Sequence, residues 1–439
     1  MPDPARPLEL TRSKELEARA RERIPGVTQT ASKRPEAFAP GYFPDFVDRA
    51  KGSHVWDADG NEYIDYVMAC GPVTLGYCYP AVDHAIREQL ARGIIFTRPT
   101  ALEGEVAEIL SEVVPCAEMS RFFKGGVEAN SAALRLARAF TGREKVVSCG
   151  YRGWHDQWAV THTPRGIPSC LADLTLEFKY NDLASLEAVL TDHPGQIAAV
   201  IVDPVSGNQP TEGFLAGVQA LAHQHGCVLI FDEIVTGFRL AVGGAQAYYD
   251  VVPDVAVFAK GIANGMPLSV VTGRREVMNM ATEVFMTLTY GDEALSLAAA
   301  RATLKVLQEE NVTEHIWDVG RALVEGVGRT IVDTGVPFTF GGIEAMPAFL
   351  ATGEFHGRQL SEEEQQRTWV YLLAELARRG VMWRKHSLLL PCYSHSYKDV
   401  AHTVDAFDQV CTNLARLLES GTLQEEIPLT QLPIGFKRL

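Results

Sequence analysis

The hydrophobic positions of this chain follow two periods that alternate along most of its length. Short runs of consecutive apolar residues predict buried β-strands, and longer segments with apolar residues at every third or fourth position predict amphipathic helices. Strands that alternate with helices of roughly ten to fifteen residues indicate crossover units and a mostly parallel sheet. The strands predicted in this region lie at 121–123, 145–149, 197–202, 228–231, 255–259 and 268–272. The predicted helices lie at 80–92, 102–114, 127–141 and 294–310.

Both ends of the chain have a different pattern. Near the start, a charged helix at 9–23 precedes a hairpin at 55–64, whose turn contains Asp59-Gly60. Beyond residue 311, predicted helices alternate with short strands, which indicates a smaller α+β domain that begins near residue 325. These helices lie at 315–334, 361–379 and 398–418, and the strands at 336–340 and 348–351.

The composition is that of a globular protein. The chain has 439 residues, 46% of them hydrophobic and 22% charged, enough for two or three domains and a large buried core. The formal net charge is −15 at pH 7. Nucleic acids and anionic membranes require a basic face, so neither is expected as a partner. The acidity suits a cationic substrate, although acidity that only aids solubility is the commoner explanation.

The cysteines and the N-terminus predict a reducing compartment. Eight cysteines are spread along the chain without a CxxC pair, and Cys149 and Cys227 lie in apolar runs where reduced thiols are expected. The first residues lack the apolar core of a signal peptide, and no apolar run approaches the roughly 20 residues of a membrane span. The twelve histidines show no close ligand spacing. We therefore expect a soluble, cytoplasmic protein without a metal site.

Two charged residues follow directly after buried strands. The run at 228–231 ends in Asp232, and the run at 255–259 ends in Lys260. Ligands of open α/β sheets bind beyond the carboxyl ends of the strands, so Asp232 and Lys260 are expected to face one ligand. A lysine that forms a Schiff base and an aspartate that pairs with a pyridinium nitrogen are what a protein supplies to pyridoxal-phosphate chemistry.

Each of these two residues has a structural alternative. Lys260 alone is equally well explained as a loop lysine, although the apolar run before it favours a desolvated, nucleophilic amine. Asp232 is also typical of a structural ion pair, for which Arg239 is a candidate partner. Glu233 is the better candidate for a purely structural role.

A glycine-rich turn and an aromatic residue follow two further strands. Gly125 and Gly126 precede Val127 at the start of a predicted helix, where free backbone N–H groups bind phosphate. Two glycines alone more often form a simple tight turn, but the strand–turn–helix context favours the phosphate site. Tyr151 follows the strand at 145–149 and could stack on a planar cofactor, whereas an aromatic in the core is the favoured alternative for this residue alone.

The residues from Asp232 onwards resemble the class III pyridoxal-phosphate aminotransferases, and within them the branch of glutamate-1-semialdehyde aminomutase. The resemblance covers most of the chain, including 52–66 and 289–296. It implies the type I pyridoxal-phosphate fold, with a large domain at 66–325. The smaller domain would be assembled from the N-terminal segment at 1–65 and the C-terminal residues at 326–439. The most specific motifs are Asp232-Glu233-Ile234-Val235-Thr236-Gly237-Phe238-Arg239, Gly243-Gly244-Ala245-Gln246, Pro253-Asp254 and Lys260.

The resemblance assigns roles around the cofactor ring. Lys260 matches the lysine that holds the cofactor as a Schiff base and later moves a proton between two positions. Asp232 matches the partner of the ring nitrogen. Ile234 and Tyr151 match the residues that pack on the two faces of the ring.

The resemblance also assigns roles at the phosphate. Gly125, Gly126 and Val127 match the phosphate loop. Thr289 matches the residue whose hydroxyl reaches the phosphate from the neighbouring subunit. This last match implies a homodimer with shared active sites.

The chain departs from the family at several positions. Gly125 and Val127 stand where relatives usually carry Ser or Thr, Asp203 where many have Glu, and Val235 where many have Gln. An arginine for a substrate carboxylate cannot be aligned in the loop at 26–34. Because a bidentate arginine is the usual partner of a carboxylate, this loop argues against a strict aminomutase.

We therefore expect an aminotransferase that cycles between pyridoxal and pyridoxamine phosphate. It would take nitrogen from an amine donor and pass it to an aldehyde or ketone. The acidic chain and the unaligned arginine favour an intermediate of amino-sugar or aminoglycoside biosynthesis, hence of antibiotic biosynthesis, as the acceptor. The alternatives are an aminomutase, a lyase, dehydratase or epimerase on the same cofactor, and a catalytically silent protein, which the presence of both Lys260 and Asp232 disfavours.

Overall fold

The computed structural model describes residues 1–2, 8–205 and 207–428. Its helices are α1 Thr11–Arg21, α2 Pro80–Leu90, α3 Ala101–Val113, α4 Gly126–Thr141, α5 Asp156–Ala159, α6 Leu183–Asp192, α7 Phe214–Gln224, α8 Ala245–Tyr248, α9 Arg275–Met278, α10 Ala294–Glu309, α11 Val312–Thr334, α12 Glu362–Arg378, α13 Tyr397–Ser420 and α14 Leu423–Glu426. Its strands are β1 Val47–Lys51, β2 His54–Asp57, β3 Glu62–Asp65, β4 Met119–Phe123, β5 Lys145–Cys149, β6 Thr175–Glu177, β7 Ile197–Val202, β8 Val228–Asp232, β9 Val255–Phe258, β10 Ser269–Gly273, β11 Phe338–Gly341, β12 Ala348–Ala351, β13 Glu354–Phe355, β14 Arg358–Gln359, β15 Val381–Met382 and β16 Ser387–Leu388.

The chain divides into two compact units. Residues Met1–Tyr79 belong with the chain from Glu314 onwards, and Pro80–Thr313 form the other unit. The boundaries predicted at 65 and 325 differ from these divisions for two physical reasons. The segment after β3 is tied to the first unit, since the hydroxyl of Tyr77 donates to Asp65 at 2.7 Å. In addition, most of α11 contributes its apolar face to the core of that unit.

The unit Pro80–Thr313 is built on a seven-stranded sheet with the order β4-β10-β9-β8-β7-β5-β6. The five strands from β9 to β6 in this order are parallel, whereas β10 is antiparallel to both of its neighbours. The predicted α/β fold with a mostly parallel sheet is therefore confirmed. The strands at 145–149 and 197–202 have the predicted bounds.

Both faces of this sheet are covered, as a parallel sheet requires. Every residue of β7 is buried, and its side chains alternate between two apolar clusters. Ile201 packs in a cluster with the apolar face of α4. Val200 packs in the opposite cluster with Leu186 of α6 and Val218 of α7. The carboxyl ends of the strands are left as the open edge of a rigid scaffold.

The unit that contains both chain ends has its own sheets and core. β15 pairs in parallel with β3, which joins a C-terminal strand to the N-terminal sheet β1-β2-β3. A second sheet has the order β11-β12-β16. The fully buried Trp383 makes ring contacts with Tyr66, Phe349 and Phe407 in the core of this unit. Among the described residues, no helix is both long enough and apolar enough to cross a membrane.

Helix α11 approaches its neighbouring loop at a glycine, which gives a test of the packing. A Cβ on Gly320 would lie 1.8 Å from the carbonyl oxygen of Glu344, whereas one on Gly328 would have its nearest neighbour 4.0 Å away. We expect Gly320→Ala to destabilise the protein by roughly 1–3 kcal/mol or more, because the backbone must move. The matched Gly328→Ala should raise stability by about 0.5–1 kcal/mol. Urea unfolding of both variants measures the difference, and equal midpoints would contradict this packing.

Candidate active site

Asp232 and Lys260 lie at the ends of neighbouring strands. Asp232 is the last residue of β8, and it is opposite Val257 in the parallel pair β8–β9. Lys260 follows β9 by two residues and begins a short 3-10 turn. Its φ of +45° lies in the left-handed region, which costs a non-glycine residue of order 1–3 kcal/mol. The sheet thus delivers both residues to one edge, as the sequence predicted.

The carboxylate of Asp232 is buried and held by three donors. Its side chain is 4% exposed. Oδ2 accepts hydrogen bonds from Asn130 Nδ2 at 2.8 Å and from Arg152 Nη1 at 3.3 Å. Oδ1 accepts one from the backbone N–H of Ile234 at 3.1 Å. A carboxylate oxygen has two lone pairs, so Oδ1 could accept a second hydrogen bond from a ligand.

Arg152 was not predicted from the sequence and is a buried cation in contact with Asp232. Its side chain is 1% exposed, and Nη1 donates to Asp203 Oδ1 at 2.7 Å as well as to Asp232. Its guanidinium also donates to the backbone carbonyls of Cys149 and Tyr151. The sequence contains one signal for such a residue, because a charged side chain lies at or soon after the end of each of the strands β5, β7 and β8. Their adjacency in the sheet, which is needed to read that signal, is not visible in the sequence.

Asp203 carries an unusual protonation equilibrium. Burial has the largest effect on the carboxyl of Asp203 and raises its pKa to about 7. The positive charges of Arg152 and Lys260 act to lower this pKa, and the negative charge of Asp232 acts to raise it. Its side chain is 22% exposed. Asp203, Arg152, Asp232 and Lys260 therefore form one interacting group of charges.

The turn predicted to hold a phosphate leads directly into α4. Gly125 is the N-cap, and its N–H donates to Glu128 Oε2 at 2.7 Å. That amide is therefore engaged. The amides of Gly126 and Val127 are the first two of the helix, and such amides have no partner within a helix. They and the helix dipole could hold a phosphate.

The two residues expected on the ring faces differ in their surroundings. Ile234 is partly buried against the start of α4, since a Cβ on Gly126 would lie 2.6 Å from Ile234 Cδ1. Tyr151 is 71% exposed, so it is not an aromatic of the core. Its ring is accessible to a planar ligand.

Thr289 is exposed and lines a cleft of about 680 Å³. None of the other predicted site residues is among the described residues that line this cleft. The cleft is lined by residues 95–96, 103–104, 107, 120–123, 286–289 and 291–292. No cluster of three or more His, Cys, Asp or Glu residues suited to a metal occurs in the described parts of the chain.

The sheet and the residues at its edge define a pyridoxal-phosphate enzyme of fold type I. Pyridoxal phosphate has three functional groups, namely a ring nitrogen, an aldehyde and a phosphate. The site offers a carboxylate for the first, a lysine amine for the second and a helix start for the third. Over residues 37–336 the sequence matches the model of the family described as aminotransferase class-III. The chain belongs to this family and is a pyridoxal-phosphate-dependent aminotransferase. When bound, the cofactor supplies an electron sink for the substrate carbon next to the nitrogen.

Relatives in the family have more than one activity. The chain is 34% identical to a 3-aminobutyryl-CoA aminotransferase of Cloacimonas acidaminovorans over 94% of this chain and 100% of the relative. It is 36% identical to a glutamate-1-semialdehyde 2,1-aminomutase of Desulforamulus reducens over 90% of this chain and 96% of the relative.

Solved structures share the fold. The FumI protein of Sphingopyxis sp. MTA144, in its PLP internal aldimine form, is 28% identical, with a TM-score of 0.86 over 93% of this chain and 98% of that one. An omega-transaminase of Sphaerobacter thermophilus is 26% identical, with a TM-score of 0.82 over 92% of this chain and 98% of that one. The resemblance to class III enzymes inferred from the sequence is thereby confirmed.

The contact between Gly126 and Ile234 can be tested by adding one methyl group. We expect Gly126→Ala to displace Ile234 and to weaken binding of pyridoxal phosphate roughly tenfold or more, because relieving such a clash costs about 1–3 kcal/mol. Gly125→Ala is the control, since its Cβ would have no neighbour nearer than 3.5 Å. Titration of the apoenzyme with the cofactor, followed by tryptophan fluorescence, gives both affinities. Equal affinities would show that Ile234 does not limit the site.

Proposed function

We propose that this enzyme transfers an amino group between two molecules, from an amine donor to an aldehyde or ketone acceptor. The observation that carries the proposal is the delivery of Lys260 and the buried carboxylate of Asp232 to one edge of the sheet. The full-length similarity to an aminotransferase supports transfer between molecules.

Each residue of the site has a proposed task. Lys260 supplies the amine that attaches the cofactor, and it takes up and returns a proton during the reaction. Asp232 keeps the ring nitrogen protonated, and Ile234 and Tyr151 fix the two faces of the ring. The phosphate is held by the turn at 125–127, mainly through the amides of Gly126 and Val127.

The proposed acceptor is a carbonyl group on a sugar or cyclitol, as in the biosynthesis of amino sugars or aminoglycoside antibiotics. The net charge of −15 supports this choice, because an acidic protein attracts polycationic substrates. The free, buried thiols of Cys116, Cys149 and Cys227 support a reducing, cytoplasmic location.

A second candidate is an aminomutase that acts on a carboxylate substrate. It is supported by the similarity to glutamate-1-semialdehyde aminomutases, at 36% and 38% identity. The loop at 26–34 also provides an arginine, which weakens the argument drawn from the sequence. The guanidinium of Arg34 lies against Gly26, and its buried Nε has no hydrogen-bond partner among the described residues.

An acceptor panel separates these candidates. Enzyme loaded with pyridoxamine phosphate is mixed with keto-sugars, keto-cyclitols, α-keto acids and a β-keto thioester, and the recovery of the pyridoxal form is followed by absorbance. We expect the sugar or cyclitol carbonyls to react fastest, and Lys260→Ala to be slower by at least about 10²-fold with every acceptor. Activity with α-keto acids alone would reject the sugar acceptor. Conversion of glutamate-1-semialdehyde without a second reactant would establish the aminomutase instead.

We also propose that the enzyme is a homodimer in which Thr289 completes the phosphate site of the other subunit. Thr289 is exposed and lines a cleft whose described lining does not include the residues of the turn at 125–127. Large apolar side chains are exposed near that cleft, as expected of a surface that is covered in an assembly. They are Ile95 and Phe96, which line the cleft, and Ile94 and Tyr290, which are next to lining residues in the chain.

Hybrid dimers test the shared site. Lys260→Ala and Thr289→Val should each be nearly inactive, because each removes one contributor from both sites. Co-expressed, the two chains should recover roughly a quarter of wild-type activity, since random pairing leaves one intact site in half of the dimers. The control is co-expression of Lys260→Ala with Lys260→Arg, which restores no site. Absence of recovery, or a monomer by sedimentation, would overturn the proposal.

A further inference from the structure

Three adjacent strands each present a charged residue beyond their carboxyl ends. The strand order β8-β7-β5 places Asp232, Asp203 and Arg152 at the same edge of the sheet. Arg152 is in the middle of this charge cluster, because it contacts both carboxylates. Neither the family resemblance nor the roles proposed above assign a function to Arg152 or Asp203.

The guanidinium of Arg152 is fixed in one orientation. The carbonyl of Cys149 accepts from Nη2, and the carbonyl of Tyr151 accepts from Nη1 at 3.0 Å. With the side chain only 1% exposed, solvent cannot replace these partners. The position of the guanidinium therefore constrains the position of the Asp232 carboxylate, together with Asn130 on the same oxygen.

An arginine at this place creates an electrostatic difficulty. A positive charge 3.3 Å from Oδ2 makes the Asp232 carboxylate a weaker partner for a protonated ring nitrogen. Asp203 removes the difficulty, because its oxygen lies closer to Arg152, at 2.7 Å, and offsets the charge. The three side chains together then carry one net negative charge.

We propose that Arg152 is a positioning residue that orients Asp232, and that Asp203 is the counter-charge that preserves the basicity of the cofactor's ring nitrogen. This inference rests on the proposed role of Asp232 as the partner of that nitrogen. It accounts for a second carboxylate at the sheet edge that the reaction itself does not require.

The counter-charge is titratable near neutral pH. The charged groups around Asp203 are Arg152, Asp232 and Lys260, and burial raises the pKa of Asp203 to about 7. The nearby Cys149 thiol has a pKa that burial raises to about 11, so it is neutral near pH 7. Below pH 7 Asp203 takes up a proton, and the net charge of the cluster changes from −1 to zero. The basicity of the ring nitrogen should therefore fall as the pH falls through this range.

The test measures protonation of the ring nitrogen directly. Apoenzyme is reconstituted with pyridoxal phosphate labelled with ¹⁵N in the ring, and the ¹⁵N chemical shift is followed against pH. We expect Asp203→Asn to lower the protonation midpoint by about 1–3 pH units, the effect of one charge at close range. Asp203→Glu restores the charge and should return the midpoint towards that of the wild type.

A double variant separates charge from structure. Arg152→Met with Asp203→Asn leaves Asp232 with a net charge of −1, as in the wild-type cluster, and should restore the midpoint that Asp203→Asn alone lowers. If Arg152→Met does not fold, the comparison of Asp203→Asn with Asp203→Glu decides the proposal. Asp254→Asn is the matched control, because Asp254 is also buried and paired with an arginine, Arg274, but lies outside the site.

The outcomes distinguish this inference from the function it rests on. A ring nitrogen that is unprotonated in the wild type, or a Lys260 that cannot be fixed to the cofactor by borohydride, would reject the proposed function. A protonated wild type whose midpoint is unchanged in Asp203→Asn would reject only the counter-charge. Loss of stability in Asp203→Asn with an unchanged midpoint would likewise assign these residues a purely structural role.

Discussion

A buried carboxylate whose oxygens need hydrogen-bond donors is the constraint on which the site depends. Asp232 is 4% exposed, and a carboxylate left without donors in such a place would cost free energy. Asn130, Arg152 and the backbone of Ile234 supply these donors. Each donor comes from a different element, α4, the segment after β5 and the turn after β8. The geometry of the sheet is therefore a condition for satisfying this carboxylate.

The neighbouring Glu233 shows the contrast between a structural and a functional carboxylate. It is fully buried, and it accepts from Thr236 Oγ1 at 2.7 Å and from the backbone N–H groups of Ala245 and Gln246 at 2.7 and 3.0 Å. These donors belong to its own turn and to the start of α8, so Glu233 closes a loop. The donors of Asp232 come instead from three separate elements. The two neighbouring carboxylates therefore differ in which parts of the fold hold them.

Local pattern was sufficient for most of the fold and for part of the site. Strands such as β7 are wholly apolar and bounded by helices, so their place in a parallel sheet was visible in the sequence. β1 was not predicted, because its residues are mostly polar and exposed and show no period. Arg152 was missed for a different reason, since its importance comes from the adjacency of β5, β7 and β8, whose order is set by tertiary structure.

The two ends of the cofactor site depend on different parts of the molecule. Asp232, the three donors to its carboxylate and Lys260 all belong to the unit Pro80–Thr313. The phosphate end has lost the hydroxyls usual at Gly125 and Val127, and the amide of Gly125 is occupied by Glu128. In the described part of the chain, the first amides of α4 are the donors proposed for the phosphate, which would therefore gain from the proposed Thr289 of a second copy. A subunit alone would then fix the ring nitrogen more firmly than the phosphate, which links assembly to retention of the cofactor.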